Sequence, residues 1–354
     1  MGKKISCFEG IRAIGCIGVF LCHFRGAFFP QYVTCLDHTP VKILTAGNVI
    51  VRILFTLSGF VVCYKYFSKK NYENIRKDIL KRYFRLAPAI IVAEIIVYFL
   101  MRAGLLYNIP AAEISGSVDF LAVFNNFTAD FSGCLKEAFI TCYTEGANGY
   151  IGPLWTIKYE FLGVILILSA MYICKDTYLR YIFYLIVFAF YNTYYNYFVL
   201  GMFICDIYIS QDFNQFLQKH QRLNNLLFII ALYIVSLFDI NDTVKYTRVM
   251  FSVGLIMLFL TLLNASWSEK ILGAPIMNHM GRISYAVYII HWPVIESFSS
   301  AYYIWATNMN IDKKTVIISC FMFSFLLIIF LAHIFNKYIE IIGKGAVLFI
   351  EKQI

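Results

Sequence analysis

The chain has 354 residues, of which 60% are hydrophobic and 14% are charged, and its formal net charge is +9 at pH 7. A soluble domain carries about 25% charged residues, whereas here the apolar residues come in runs about 20 long, which is the length that crosses a bilayer. The composition therefore excludes an ordinary soluble domain and indicates a polytopic membrane protein.

Ten stretches are predicted as membrane spans, roughly 5–28, 43–64, 86–106, 153–174, 180–192, 195–209, 225–239, 249–265, 283–305 and 315–337. The fifth and sixth are short, and segment 118–140 is ambiguous because acidic and basic residues interrupt its apolar pattern. We expect an all-α polytopic membrane protein with about ten transmembrane helices. We also expect a single membrane domain over residues 1–354, with no appended soluble domain.

Charge predicts the orientation of these spans. The loop between the second and third spans holds a cluster of basic residues: Lys65, Lys69, Lys70, Arg76, Lys77, Lys81, Arg82 and Arg85. The next loop, 107–152, is acidic and contains one lysine. Because basic loops stay on the cytoplasmic side, both termini are expected in the cytoplasm. The positive net charge then reflects membrane topology, and we expect no nucleic-acid partner.

The ten cysteines contain no CxxC pair. This spacing argues against a zinc or iron–sulfur centre, so we expect no metal site.

In the first span, Arg12 and His23 lie eleven residues apart. At about 100° per residue this spacing places both side chains on one helical face, about 16 Å apart along the axis. An arginine in hydrocarbon costs at least about 2.5–3.5 kcal/mol. The helix is therefore expected to direct this face towards protein or water, which makes it a candidate functional site.

The second span places Arg52 near the middle of the bilayer, with Ser58 six residues further along the same helix. A charge at this depth usually marks a pathway or a site. The structural alternative is an ion pair between helices.

At the start of the third span, Arg82 and Arg85 are spaced i,i+3, so both guanidinium groups can face one ligand. Their forked donors match phosphate oxygens. Attraction to anionic lipid headgroups is an equally good interpretation of the same residues.

The fourth span begins with Trp155, which suits a membrane interface, and places Glu160 about 10 Å below that interface. His23 approaches the same outer level from the opposite direction. A carboxylate beside an imidazole orients the ring and stabilises its protonated form.

In the ninth span, Ser284, Tyr288 and His291 form one stripe at i, i+4 and i+7. A buried histidine of this kind either bonds neighbouring helices or serves as a base.

Taken together, these segments resemble the acyltransferase-3 family of integral membrane acyltransferases. The resemblance rests on five short motifs in order: Arg12-x10-His23, Phe55-x-x-Ser58-Gly59-Phe60, Arg82-x-x-Arg85-x-x-Pro88, Leu154-Trp155-Thr156-Ile157-x-x-Glu160 and Ile283-Ser284-Tyr285-x-x-Tyr288-x-x-His291-x-Pro293. Each motif is weak alone, but together they span nearly the whole chain. The chain departs from the family's paired phenylalanines at Leu54, where an effect on packing only is expected.

The resemblance implies transfer of an acyl group, by default acetyl, from cytoplasmic acetyl-CoA to a hydroxyl of an envelope glycan. For this activity, the chemistry of the residues supports His23 as general base, Glu160 as the candidate residue that orients it and Arg52 as the oxyanion stabiliser. The expected acetyl-CoA contacts are Arg12, Arg82 and Arg85. The expected substrate cavity is lined by Ser58, Trp155, Ser284, Tyr288 and His291.

The expected location is a bacterial cytoplasmic membrane, as a multi-pass protein. The expected partners are acetyl-CoA, an O-antigen, capsule or lipid-linked saccharide acceptor, and membrane lipids, with no permanently bound cofactor. The oligomeric state stays open, and so does the choice between direct transfer and an acyl-enzyme. A transporter or flippase is the alternative function, because buried charges also mark transport paths. Another acyl group, such as succinyl, or another acceptor is the alternative within the family.

Overall fold

A computed structural model of the chain describes residues 5–31, 39–190, 193–237 and 245–353, and within these ranges it contains helices and no strand. The α-helices are α1 (Cys7–Phe28), α2 (Gly47–Phe67), α3 (Ile75–Arg102), α4 (Asn108–Ser115), α5 (Val118–Leu121), α6 (Phe131–Lys136), α7 (Cys142–Thr144), α8 (Trp155–Cys174), α9 (Leu179–Phe190), α10 (Tyr195–Ile209), α11 (Asp212–Lys219), α12 (Gln221–Leu237), α13 (Lys245–Asn264), α14 (Ser268–Leu272), α15 (Pro275–Val294), α16 (Ser300–Asn308) and α17 (Lys313–Gln353). Two π-turns, Glu137–Thr141 and Ile295–Ser299, connect α6 to α7 and α15 to α16.

Six stretches in the described part of the chain are long and apolar enough to cross a membrane: Cys7–Phe28, Gly47–Phe67, Ile75–Arg102, Gly152–Cys174, Tyr246–Asn264 and Lys313–Phe349. They correspond to the first, second, third, fourth, eighth and tenth predicted spans. The fifth to seventh spans correspond to shorter apolar helices, Leu179–Ala189, Tyr195–Ile209 and Gln221–Leu237. The all-helical membrane class is confirmed, whereas the count of ten and the cytoplasmic termini stay predictions.

Two helices extend beyond their predicted bounds. α3 begins at Ile75, about three turns before the predicted span, so Arg82 and Arg85 lie on a helix and Pro88 lies inside it. Asp78 holds this early turn by accepting hydrogen bonds from Lys65 and Tyr66. α17 continues to Gln353 and has 41 residues, about 60 Å, which is twice the thickness of the hydrocarbon core.

The chain packs as two compact units. Unit 1 comprises Met1–Val19, Thr34–Ile79 and Tyr159–Arg282, and unit 2 comprises Phe20–Val33, Leu80–Lys158 and Ile283–Ile354. α1, α3, α8 and α15 each contribute residues to both units. The prediction of one membrane domain stays a prediction.

Within unit 1, a close crossing of α2 and α10 forms the core. A Cβ atom at Gly59 would lie 2.2 Å from the carbonyl oxygen of Phe198, and one at Gly201 would lie 2.1 Å from the carbonyl oxygen of Thr56. Small residues let two membrane helices approach until their backbones touch. The crossing therefore fixes the register of α2, which carries Arg52 and Ser58.

Within unit 2, rings of α1 and α17 form an apolar core. Phe20 and Phe24 are buried, and both rings contact Phe321, with centroid separations of 5.4 and 5.3 Å. Such aromatic contacts contribute about 0.5–1.5 kcal/mol each beyond the area they bury. This packing holds the last turns of α1, which carry His23.

Candidate active site

Two histidines from distant parts of the sequence meet in unit 2. The Nδ1 atom of His23 on α1 lies 2.8 Å from the Nε2 atom of His291 on α15, and the two ring planes differ by 6°. His291 is 1% exposed, and His23 is half-buried. A hydrogen bond of this length fixes the direction in which the more accessible ring points.

The backbone determines which nitrogen atoms carry protons. The Nδ1 atom of His291 lies 2.6 Å from the carbonyl oxygen of Tyr288, and a carbonyl oxygen only accepts hydrogen bonds. His291 therefore donates through Nδ1, and in its neutral form its Nε2 accepts. His23 must then donate through Nδ1, which leaves the lone pair of its Nε2 available. Among the described residues this Nε2 has no hydrogen-bond partner, so it can accept a proton from a substrate.

Aromatic rings surround this pair. The ring of Trp292 is 1% exposed and lies 5.1 Å from the His23 ring in an edge-to-face arrangement, and Phe120 lies 6.1 Å from His23. Gly26 makes room for Phe120, because a Cβ atom there would lie 2.7 Å from that ring. The rings exclude water from one side of the histidine pair.

Two residues of the predicted stripe on α15, Tyr288 and His291, contact different parts of the chain. His291 contacts His23, whereas the Tyr288 hydroxyl lies 2.6 Å from Thr156 Oγ1 and donates to the carbonyl oxygen of Pro153 at the start of α8. Ser284 and Trp155, two further predicted cavity residues, are half-buried. Tyr288 therefore joins α15 to the start of α8, and that bond positions the carbonyl group that sets the His291 tautomer.

Glu296, just over one turn after His291, is a buried carboxyl group that was not among the predicted site residues. Glu296 lies in the π-turn after Pro293, is 0% exposed and accepts a hydrogen bond from the side chain of Asn125 at 3.1 Å. π-Turns are frequent at functional sites. The signal was present, since an acidic residue inside the predicted span 283–305 is itself unusual.

Glu94 on α3 is a second carboxyl group that the sequence reasoning missed. It is 0% exposed, and neither of its oxygen atoms has a hydrogen-bond partner among the described residues. Its position inside the predicted span 86–106 was the available signal.

In unit 1, Ser58 and Glu160 form a direct pair. Ser58 Oγ on α2 donates a hydrogen bond to Glu160 Oε1 on α8 at 2.8 Å, and both residues are half-buried. The role of Glu160 as the residue that orients His23 stays a prediction. The structure shows the serine hydroxyl as one of its partners.

Arg52 lies in an aromatic cage in unit 1. Its guanidinium carbon lies 5.2 Å from the centroid of Tyr194, 5.5 Å from that of Tyr197 and 5.9 Å from that of Phe251. Aromatic faces attract a cation, by about 2 kcal/mol or more where water is excluded. The cage allows a charge to persist at a residue that is only 9% exposed.

The three arginines predicted to bind acetyl-CoA lie on two helices, α1 and α3. Arg12 in unit 1 forms a 3.1 Å ion pair with Glu9 one turn earlier in α1, and its side chain is 33% exposed. In unit 2, Arg82 and Arg85 share one turn of α3, the first half-buried and the second exposed. That turn can present two guanidinium groups to an anion.

A family model described as an acyltransferase domain matches residues 5–335 of the chain. No curated protein matches the chain, and no solved structure does. In the described ranges, no group of three or more His, Cys, Asp or Glu side chains is arranged to hold a metal ion. Because the family model covers nearly the whole chain, including the paired histidines, the protein belongs to the acyltransferase-3 family.

Proposed function

We propose that the protein is a membrane O-acyltransferase that moves an acetyl group from acetyl-CoA to a hydroxyl of an envelope glycan. Family membership supports acyl transfer, and the multi-pass helical fold suits a membrane enzyme. The observation that carries the proposal is the His23–His291 pair, with its 2.8 Å hydrogen bond and the carbonyl group that sets the tautomer.

In this proposal His23 is the general base. Its Nε2 removes the proton of the acceptor hydroxyl as the acceptor oxygen attacks the acyl carbon. If the acyl group passes directly from the thioester, that proton finally resides on the sulfur of the released CoA, and if it passes through an acyl-enzyme, the proton returns to the residue that carried the acyl group. A positioned base of this kind contributes about 10²–10⁴-fold to the rate. A neutral histidine with a free Nε2 is the form that this step requires.

His291 is the orienting residue in this proposal. It already accepts the Nδ1 proton of His23, which is the contact that an orienting residue makes. When His23 gains the acceptor's proton, the hydrogen bond to His291 becomes charge-assisted and shortens. The pair thus stabilises the transition state more than the resting enzyme, which is the condition for a faster reaction.

The donor is held by arginines in this proposal. Arg82 and Arg85 contact the CoA phosphates, because two forked donors on one helical turn match phosphate oxygens. Arg12 contacts the pyrophosphate or pantetheine arm, and Arg52 stabilises the negative charge that develops on the acyl oxygen. Fixed cations in a dry site stabilise such charge far more than cations in water.

The test is mass spectrometry of the surface glycan from strains with matched protein levels in the membrane. One strain lacks the gene, and the others carry the wild-type gene, His23→Ala or His220→Ala. We expect the wild type and His220→Ala to restore one acetyl group on the glycan, and His23→Ala to restore none. His220 is the matched control because it is an exposed histidine on another helix end.

Other outcomes identify the alternatives. A succinyl-sized mass gain would keep the fold and the base and change the donor. An acetyl group that persists in His23→Ala would remove the proposed base. No acyl difference between any of the strains would reject the glycan acceptor and favour a transporter or flippase.

A further inference from the structure

Ser58 and Glu160 have the geometry of a nucleophile and its base. The serine hydroxyl donates to the carboxylate at 2.8 Å, within the range in which a base removes the proton of an attacking hydroxyl. The reaction proposed above does not use this hydroxyl. Both side chains belong to unit 1, and both are half-buried rather than enclosed.

The backbone around Ser58 is tightly held. Its neighbours Leu57 and Phe60 are 1% and 0% exposed, and Gly59 lies directly against the backbone of Phe198. Since backbone meets backbone there, α2 has little freedom to shift or rotate. The hydroxyl is therefore presented in one fixed position, as a nucleophile requires.

The depth of Ser58 also matters. α2 is one of the membrane-length helices, and Ser58 is near the centre of its 21 residues, Gly47–Phe67. At 1.5 Å per residue the hydroxyl lies about 16 Å from the first residue of α2, close to the middle of a hydrocarbon core about 30 Å thick. CoA carries phosphate groups that cannot enter hydrocarbon. A hydroxyl at this depth can receive the acyl group while the nucleotide stays at the membrane surface.

From these observations we propose that Ser58 is an acylation site, on which the acyl group is carried as a covalent ester, and that Glu160 is the base that activates it. This inference rests on the proposed function and decides between its two routes, direct transfer and an acyl-enzyme.

The chemistry balances in two steps. In the first, a bond forms between Ser58 Oγ and the acyl carbon, the carbon–sulfur bond of the thioester breaks, and the serine proton passes to Glu160 and then to the CoA thiolate. In the second, the acceptor oxygen bonds the acyl carbon, the bond to Ser58 Oγ breaks, and the proton lost by the acceptor restores the serine hydroxyl. No oxidant or reductant is needed.

A purely structural role makes different predictions. A serine–glutamate hydrogen bond between two membrane helices stabilises their packing only modestly. In that case Glu160→Gln, which keeps an acceptor oxygen for Ser58, would leave the reaction rate unchanged. An acylation site instead loses its base in this variant, and the rate of ester formation falls.

The experiment incubates the purified full-length protein with acetyl-CoA alone, quenches with acid and locates acetyl groups by peptide mass spectrometry. In parallel, CoA release is followed after addition of surface glycan purified from the gene-deletion strain. The variants are Ser58→Ala, Ser58→Thr, Glu160→Gln and the control Ser236→Ala. Ser236 is a buried serine of α12 that donates to the carbonyl oxygen of Tyr233 in its own helix.

We expect one hydroxylamine-labile acetyl group on the Ser58 peptide in the wild type and in Ser236→Ala, and its loss on addition of the glycan. Ser58→Ala should carry none, and Glu160→Gln should form it about 10²-fold more slowly. Ser58→Thr keeps a hydroxyl and should retain measurable ester. It provides the test of this position if the alanine variant fails to fold.

Wild-type rates of CoA release in Ser58→Ala or Glu160→Gln would overturn the inference and leave the proposed function standing, with direct transfer as its route. An acetyl group on the wild type at a residue other than Ser58 would also overturn it. No glycan-dependent CoA release from the wild type, together with no ester, would reject the proposed function itself.

Discussion

The carbonyl oxygen of Tyr288 accepts hydrogen bonds and cannot donate them, and this property fixes the protons of two rings in succession. His291 receives its tautomer from that carbonyl group, and His23 receives its own from His291. In the proposed mechanism, this one backbone atom therefore keeps His23 in the form that can act as a base, with no prior proton rearrangement. Substitutions in this chain of hydrogen bonds are therefore expected to change the rate of the chemical step.

Replacing His291 tests this relay. His291→Ala should lower kcat by about 10²-fold with little change in KM, because His23 loses the partner that holds its free Nε2 in place. His291→Gln can present its amide oxygen where Nε2 lies and should recover part of kcat. Steady-state kinetics with acetyl-CoA and the deletion-strain glycan measure both. Equal losses in the two variants would contradict a role based on the accepting atom.

The arginine pair on α3 is tested by donor binding. Arg82→Ala and Arg85→Ala should each weaken acetyl-CoA binding by about 10-fold or more, because each removes a charge-assisted bond of about 1.5–3 kcal/mol. Titration calorimetry on the purified protein gives the Kd. Arg102→Ala, an exposed arginine at the other end of the same helix, is the control and should bind normally. Unchanged binding in both test variants would assign this pair to lipid headgroups.

At the scale of the elements, the crossing of α2 and α10 sets the position of Ser58. Its two glycines are required by contact between backbones, and no flexible side chain is available to move aside. The helices were predictable from apolar runs, but the crossing was not, because an apolar run does not specify which neighbour its glycine touches.

A methyl group at that crossing should destabilise the protein. Gly59→Ala places a carbon atom 2.2 Å from the Phe198 carbonyl oxygen, and overpacking of this kind costs about 1–3 kcal/mol. Gly345→Ala on α17 is the control, since no atom of the described residues lies within 4 Å of its added carbon atom. Thermal unfolding in detergent should show a lower Tm for Gly59→Ala and no decrease for Gly345→Ala. A Gly59→Ala protein as stable as the wild type would mean that α2 and α10 can separate without loss.

At the scale of the whole molecule, the six membrane-length stretches establish an all-helical membrane protein and leave its orientation to the charge pattern. The basic cluster lies just before α3 and along its first turns, and the acidic loop follows the other end of the same helix. Because segments rich in Lys and Arg stay on the cytoplasmic side during insertion, this charge difference predicts the orientation of α3.

Orientation is tested by labelling single cysteines introduced into a cysteine-free variant. Lys69→Cys and Glu145→Cys both replace exposed residues outside the membrane-length stretches. A membrane-impermeant maleimide added to intact cells should label position 145 and leave position 69 unlabelled until the membrane is opened. Labelling with the opposite preference would reverse the predicted topology and remove the cytoplasmic donor site.

The membrane class and most of the helices were predictable from the apolar runs, and so were most of the polar side chains that form the candidate sites. A charged or polar side chain in an apolar run is costly, so His23, Arg52, Ser58, Glu160 and His291 were visible one by one. Glu94 and Glu296 also lie in apolar runs but were not among the predicted site residues. The contacts between these side chains were not predictable: His23 meets His291, 268 positions away, and Ser58 meets Glu160, 102 positions away. Helical periodicity fixes only the face of one helix on which a residue lies. The residue opposite that face is set by the packing of other helices against it.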